Sequence, residues 1–195
     1  MKGLFIVLEG TDGAGHSTQA ELLARYLRKK GRKVLFTREP TDSAIGGLIR
    51  SSLKHEWKTS NFALQLLFTA DRAHHLAMEI GPVLKKGGII ICDRYALSTL
   101  AYASPDDIKF LMYMNSKFSR PDLVFLLDTP VSVCLDRIRH SRFHFELFEE
   151  KKKLENVRKN YMKLKNYFPS THVIDGDESE EIIFENIRRI VDKLL

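Results

Sequence analysis

Only two cysteines occur among the 195 residues, Cys92 and Cys134, and they form no C-x-x-C pair. That excludes a disulfide scaffold and a zinc site built on cysteine pairs. Cys92 lies in the apolar run GIIICD, where a buried, reduced thiol is expected. No stretch approaches the roughly 20 apolar residues of a membrane span. The apolar run within MKGLFIVLEG is too short for a signal peptide and is needed as a strand. A soluble, cytoplasmic chain without a membrane partner is therefore expected. Aromatic and basic residues are not interleaved as a nucleic-acid module requires, so no nucleic-acid partner is expected. Internal repeats, low-complexity linkers and a readable Ser-His-Asp pattern are also missing.

What is present suits one domain over residues 1–195. Hydrophobic residues make up 44% of the chain, enough for a full core. The formal net charge of +6 fits anionic small-molecule substrates. Strand and helix patterns alternate. Continuous apolar runs mark strands at Leu4–Glu9, Lys33–Thr37, Ile89–Asp93, Leu123–Leu127 and His172–Asp175. Helical spacing marks 17–30, stopped by Gly31, then 43–54, then a long helix 61–86 disturbed at Gly81-Pro82. Shorter helical segments follow around Ser98 and over 105–118. Thr129-Pro130 caps a helix to about Arg139, and helices at 150–167 and 178–194 complete the order. Apolar strands separated by helices imply a parallel sheet covered on both faces, an α/β fold of three layers. Ligands in such a sheet bind beyond the carboxyl ends of the strands.

Three chemical stretches stand at those ends. After the first strand comes GTDGAGHST, Gly10 to Thr18, followed by a helix. Gly10, Gly13 and Gly15 allow a tight turn and close backbone approach, so the N–H groups from Gly13 and Ala14 to Thr18 can cradle phosphate at a helix mouth. Ser17 stands where a hydroxyl ligates Mg²⁺ in G-x-x-x-x-G-K-[ST]. The lysine of that pattern is His16 here. Imidazole is shorter and, with a reference pKa of about 6.5, only partly charged near neutrality. Phosphate binding survives on backbone N–H groups, whereas stabilisation of a transferring phosphoryl group suffers unless another cation helps. After the second strand come Arg38-Glu39-Pro40, and after the third Asp93-Arg94-Tyr95.

With these residues in place, the chain resembles the thymidylate kinases, P-loop nucleoside monophosphate kinases that phosphorylate dTMP. The resemblance runs from Phe5 to about Asp175. It rests on an ordered set: GTDGAG-x-STQ at 10–19, TREP at 37–40, LLFTADR at 66–72, DRY at 93–95, STLAY at 98–102 and RPDL at 120–123. The resemblance implies a P-loop NTPase fold with a five-stranded parallel sheet and a short lid at about 137–149. It implies ATP and Mg²⁺, a dTMP acceptor, and a homodimer. Residue by residue, Asp12 matches the carboxylate near the sugar and phosphate of dTMP. Arg38 and Glu39 fall in the acceptor pocket, Phe68 matches the aromatic stacked on thymine, and Arg72 the arginine that bonds the base. Asp93 would organise Mg²⁺ through water, and Arg94 would bind the acceptor phosphate, with Tyr95 beside it. Ser98 and Thr99 fall near the base edge, and Tyr102 beside the 2′ carbon. Arg139 and Arg142 are candidate lid donors. Gly13 makes the chain look like the members that take their catalytic cation from the lid, although RHSRFHFE is shorter than the usual lid.

Three functions follow from these features: a dTMP kinase, a kinase of altered or broadened substrate range, or a nucleotide-binding homologue impaired by His16. His74 and His75 are adjacent on a helix and so point about 100° apart; they suit a surface or dimer face, not a pair of metal ligands. The triplet Lys151 to Lys153 reads as a solvated helix face.

Overall fold

The structure, a computed structural model, describes the backbone of residues 3–141 and 147–195, and their side chains outside 140–150. Five parallel strands form one sheet: β1 (Leu4–Gly10), β2 (Val34–Arg38), β3 (Ile89–Asp93), β4 (Leu123–Asp128) and β5 (Thr171–Asp175). Their spatial order is β2-β3-β1-β4-β5. Strand β1 therefore lies at the centre, which explains its unbroken run of apolar residues. Successive side chains of a strand face opposite ways. Ile6 and Leu8 pack with Ala20, Leu23 and Leu27 of α1 (His16–Lys29) and with Ile183, Ile187 and Val191 of a C-terminal helix. Phe5 and Val7 face the other way. They share a cluster with Leu97 and Ala101 and with Val157 and Tyr161 from two helices on that side. The expected three-layer α/β fold is thus present.

The other helices are α2 (Ala44–Leu53), α3 (Asn61–His75), α4 (Gly81–Lys85), α5 (Ala96–Ala101), α6 (Ile108–Asn115), α7 (Val131–Ser141), α8 (Leu147–Leu164) and α9 (Glu180–Asp192). Ser43, Ser60 and Ser179 accept from Gly46 N, Ala63 N and Ile182 N, each satisfying a donor that the first turn of its helix leaves open. Gly31, at φ 76°, ends α1 in the left-handed conformation. The long helix is disturbed as its Gly81-Pro82 pair suggests, but the disturbance begins earlier. A π-helical turn spans Leu76–Ile80 between α3 and α4. Pro82 offers no N–H, and its ring crowds the carbonyl four residues back at Met78, inside that wider turn. Thr129, read as the cap of α7, donates its hydroxyl to the Ala14 carbonyl at 3.1 Å. Cys92 is fully buried, as its apolar run suggested, and burial pushes its thiol well above the ordinary range. No helix among the described residues is long and apolar enough to cross a membrane.

Candidate active site

The carboxyl ends of β1, β2 and β3 converge, because β1 and β2 both pair with β3. Leaving β1, the chain turns through Gly13 at φ 79° and Gly15 at φ 98°, and α1 starts at His16. Gly15 occupies the N-cap without a side-chain cap, so the first amides of α1 lack an intrahelical partner. The loop carbonyls turn the other way. Arg137 of α7 reaches the Gly13 and Ala14 carbonyls at 3.4 and 3.3 Å. The loop therefore presents donors to one side while α7 holds the other, which is what phosphate binding needs. A Cβ on Gly13 would lie 2.5 Å from the Cys134 carbonyl oxygen. Close packing on α7 therefore leaves no room for a basic side chain at position 13.

His16 is buried, and its Nδ1 sits 2.6 Å from Asp93 Oδ1 at the end of β3. The Ser17 hydroxyl lies 3.3 Å from the same nitrogen. Burial resists ionisation of Asp93, but the His16 hydrogen bond and charge outweigh it and hold the carboxyl below its ordinary 3.8. The imidazole thus leans on the carboxylate beside the loop, where a lysine would extend toward phosphate. Ser17 and Asp93 supply hard oxygen donors, a set that suits Mg²⁺.

Arg94 takes a left-handed backbone at φ 70°, a conformation of order 1–3 kcal/mol above the usual ones for a non-glycine residue. Neighbouring bonds enforce it: Arg94 N donates to Leu8 O at 2.9 Å, and Tyr95 N to Glu9 Oε1 at 2.9 Å. The side chain is directed at the loop. Nη2 donates to Asp12 Oδ1 at 2.7 Å, Nη1 to Ser98 Oγ at 3.2 Å, and the guanidinium lies 5.7 Å from the Tyr102 ring centroid. Asp12, Arg94, Ser98 and Tyr102 are therefore brought together.

A second group gathers around α3. Arg72 is buried and its fork is nearly filled. Nη2 donates to Glu39 Oε2 at 2.6 Å and Thr99 Oγ1 at 3.2 Å, and Nη1 to Asn115 Oδ1. The Tyr95 ring lies 4.7 Å from the guanidinium, and the Tyr95 hydroxyl is spent on the Ser119 carbonyl. Phe68, one turn earlier on α3, is partly buried and belongs to none of the three apolar clusters, so its ring is not a core residue. Arg38 is exposed at the end of β2. On α7, Arg139 is exposed and pairs with Asp136 at 3.5 Å. Arg142 lies outside the described residues.

Four participants have no counterpart in the motif reading. Glu9, fully buried, accepts from Tyr95 N, Ser98 N, Ser98 Oγ and the Tyr161 hydroxyl, and so props up the segment that carries Arg94. A carboxylate ending an apolar strand was a visible signal. Tyr161 and Asn115, from α8 and α6, carry no local signal. His75 corrects the surface reading: His74 is exposed, but His75 is fully buried, because it falls on the inward face of α3 one turn beyond Arg72.

The comparisons with known proteins point the same way. The model of the family described as "Thymidylate kinase" matches residues 8–187. The "Probable thymidylate kinase" of Pyrococcus horikoshii is 44% identical over 98% of this chain and 97% of its own. The "Thymidylate kinase" of Thermosipho africanus is 35% identical over 98% and 99%. That of Caldicellulosiruptor saccharolyticus is 34% identical over 100% and 98%. A glycine loop leading into α1, an arginine directed at it from the end of β3 and a buried arginine on α3 thus occur in a chain that, by its match over most of its length, belongs to the thymidylate kinase family.

Proposed function

We propose that this phosphotransferase moves the γ-phosphoryl group of ATP to the 5′-phosphate of dTMP, giving ADP and dTDP. The observation that carries the reading is the placement of Arg94, which joins the glycine loop through Asp12 and the acceptor pocket through Ser98 and Tyr102. The donor's phosphates lie on the amides of Gly13 and of Gly15 to Thr18, the Ala14 N–H being spent on the Thr11 carbonyl at 3.0 Å, and the acceptor phosphate meets Arg94 with Arg38 nearby. The acceptor is already an anion, so no strong base is required. Positioning and charge neutralisation supply most of the rate. Mg²⁺, held by Ser17 and through water by Asp93, contributes neutralisation of the donor's phosphates when bound. Phe68 stacks on the pyrimidine, Arg72 and Thr99 lie at its polar edge, and Tyr102 crowds the sugar's 2′ position. Segment 137–149 acts as a lid with Arg139 and Arg142 as its cations. Neither comparison favours an altered substrate range or a loss of activity.

A homodimer fits the same account. Leu48 and Leu53 of α2, Phe62 of α3 and Met78 of the π turn are exposed apolar side chains on a pair of packed helices. The base site is tested by Phe68→Ala. Stacking is worth about 1–3 kcal/mol per base, so the KM for dTMP rises about 5- to 150-fold while the KM for ATP stays unchanged. An unchanged KM for dTMP would remove Phe68 from the acceptor site.

A further inference from the structure

His75 has no part in the chemistry described above, yet both its nitrogens are engaged. Nε2 lies 2.8 Å from Thr37 Oγ1 and Nδ1 lies 3.1 Å from Glu39 Oε1. The other Glu39 oxygen accepts from Arg72 Nη2. Thr37 belongs to β2, which is fixed to β3 by a regular ladder. Four side chains thus run in series from the sheet to the buried guanidinium: Thr37, His75, Glu39, Arg72. The set is satisfied in one way for a neutral ring. Nδ1–H donates to the carboxylate, and Nε2 accepts from the Thr37 hydroxyl. The carboxylate, which only accepts, places the proton on Nδ1, and the Thr37 hydroxyl satisfies the Nε2 that is then left as an acceptor. Glu79 Oε2, at 3.8 Å from Nε2, is too far to compete for that nitrogen.

A buried histidine with satisfied nitrogens is ordinarily a core residue. Two features separate this one. Its bonds end on the arginine that faces the base site, and it grips the one carboxylate oxygen that Arg72 leaves. Without His75, Glu39 is held only from the Arg72 side, and the plane of its carboxylate is free to rotate. The helix also changes register directly after His75, at the π turn beginning with Leu76. Such turns recur at functional sites. The Glu39, His75 and Cys92 donor atoms lie within 4.8 Å of one another. Both Glu39 oxygens and both His75 nitrogens are already spent on protein partners, so this is a positioning network and not a cation site.

We propose that His75 is a positioning residue for nucleobase recognition: with Thr37 it locks Glu39, and Glu39 sets the plane in which Arg72 meets the pyrimidine. The inference rests on the assignment of Arg72 and Phe68 to the base site. Steady-state kinetics on His75→Phe, His75→Gln and Thr37→Val, with dTMP and ATP varied separately, test it. His75→Phe raises the KM for dTMP about tenfold, since it removes a hydrogen bond to a charged group. Its kcat and its KM for ATP stay within about twofold of the unaltered protein. Glutamine keeps a donor toward Glu39 and restores part of the loss. Thr37→Val, which removes only the orienting hydroxyl, gives a smaller rise, about threefold. An unchanged KM for dTMP in folded His75→Phe, or a parallel shift of kcat and both KM values, overturns the inference. Should the phenylalanine variant fail to fold, Thr37→Val and His75→Gln carry the test, as neither empties the site. Phe68→Ala separates the two levels. If it raises the KM for dTMP while the His75 and Thr37 variants do not, the positioning role alone falls. If Phe68→Ala also has no effect, the base-site assignment and this inference fall together.

Discussion

Two carboxyl groups behind the phosphate loop titrate in opposite senses. Burial raises Glu9 above its ordinary 4.5, although the Ser98 hydroxyl and Arg94 pull against it. In Asp93 the His16 contact wins over burial, and the group is depressed below 3.8. The folded chain therefore holds the Glu9 proton to higher pH than the unfolded chain does. Stability falls as pH rises from 4.5 through the raised value. Asp93 contributes stability that is present above 3.8 and lost as pH falls through its depressed value. Urea unfolding across pH checks the first effect. Glu9→Gln can still accept from Tyr95 N and Ser98 N through its carbonyl, and it deletes the titration. The stability of the unaltered protein relative to Glu9→Gln declines as pH rises above 4.5. Parallel curves would contradict the buried, ionisable Glu9. Local sequence made Glu9 visible but not its partners: the Tyr161 hydroxyl comes from 152 residues away, and only the fold brings the two together.

Individual elements were legible where their determinants are local. The strands β1, β3 and β4 are apolar runs because both their faces are covered, and the glycine loop reads directly from spacing. Gly31 placed the end of α1 to within a residue. The register change at Leu76 was not legible, since Pro82 announces a disturbance without fixing where the turn widens. Nor was the strand order, which depends on helix packing against both faces. Local pattern also misplaced His75, because adjacent histidines look like surface residues until the inward face of α3 is known. Contact between elements limits what the loop can carry. Gly13 combines φ 79° with a Cβ position 2.5 Å from the α7 backbone at Cys134. Gly13→Ala therefore costs about 1–3 kcal/mol of stability. It also raises the KM for ATP more than that for dTMP, because the donor loop must shift. Thermal unfolding together with the two KM values measures both effects. An alanine variant with unchanged stability would show that the loop and α7 pack less tightly than described.

Across the whole molecule, the sheet gathers residues from β1, β2, β3 and α3 at one edge and leaves apolar side chains exposed on α2 and α3. Each chain weighs 22.5 kDa. Sedimentation equilibrium at micromolar concentration should give twice that mass, and a monomer mass would contradict the homodimer. The central question is whether a loop with His16 transfers phosphate at all. Its imidazole leans on Asp93, while Arg94, Asp12 and Tyr102, the residues proposed to meet the acceptor, lie together. The most direct measurement mixes the purified protein with ATP, Mg²⁺ and dTMP and follows ADP and dTDP by chromatography, beside His16→Lys. The unaltered protein is expected to form dTDP and ADP in equal amounts. Formation of dTDP by His16→Lys alone would contradict it and make the loop a binding site disabled by one residue.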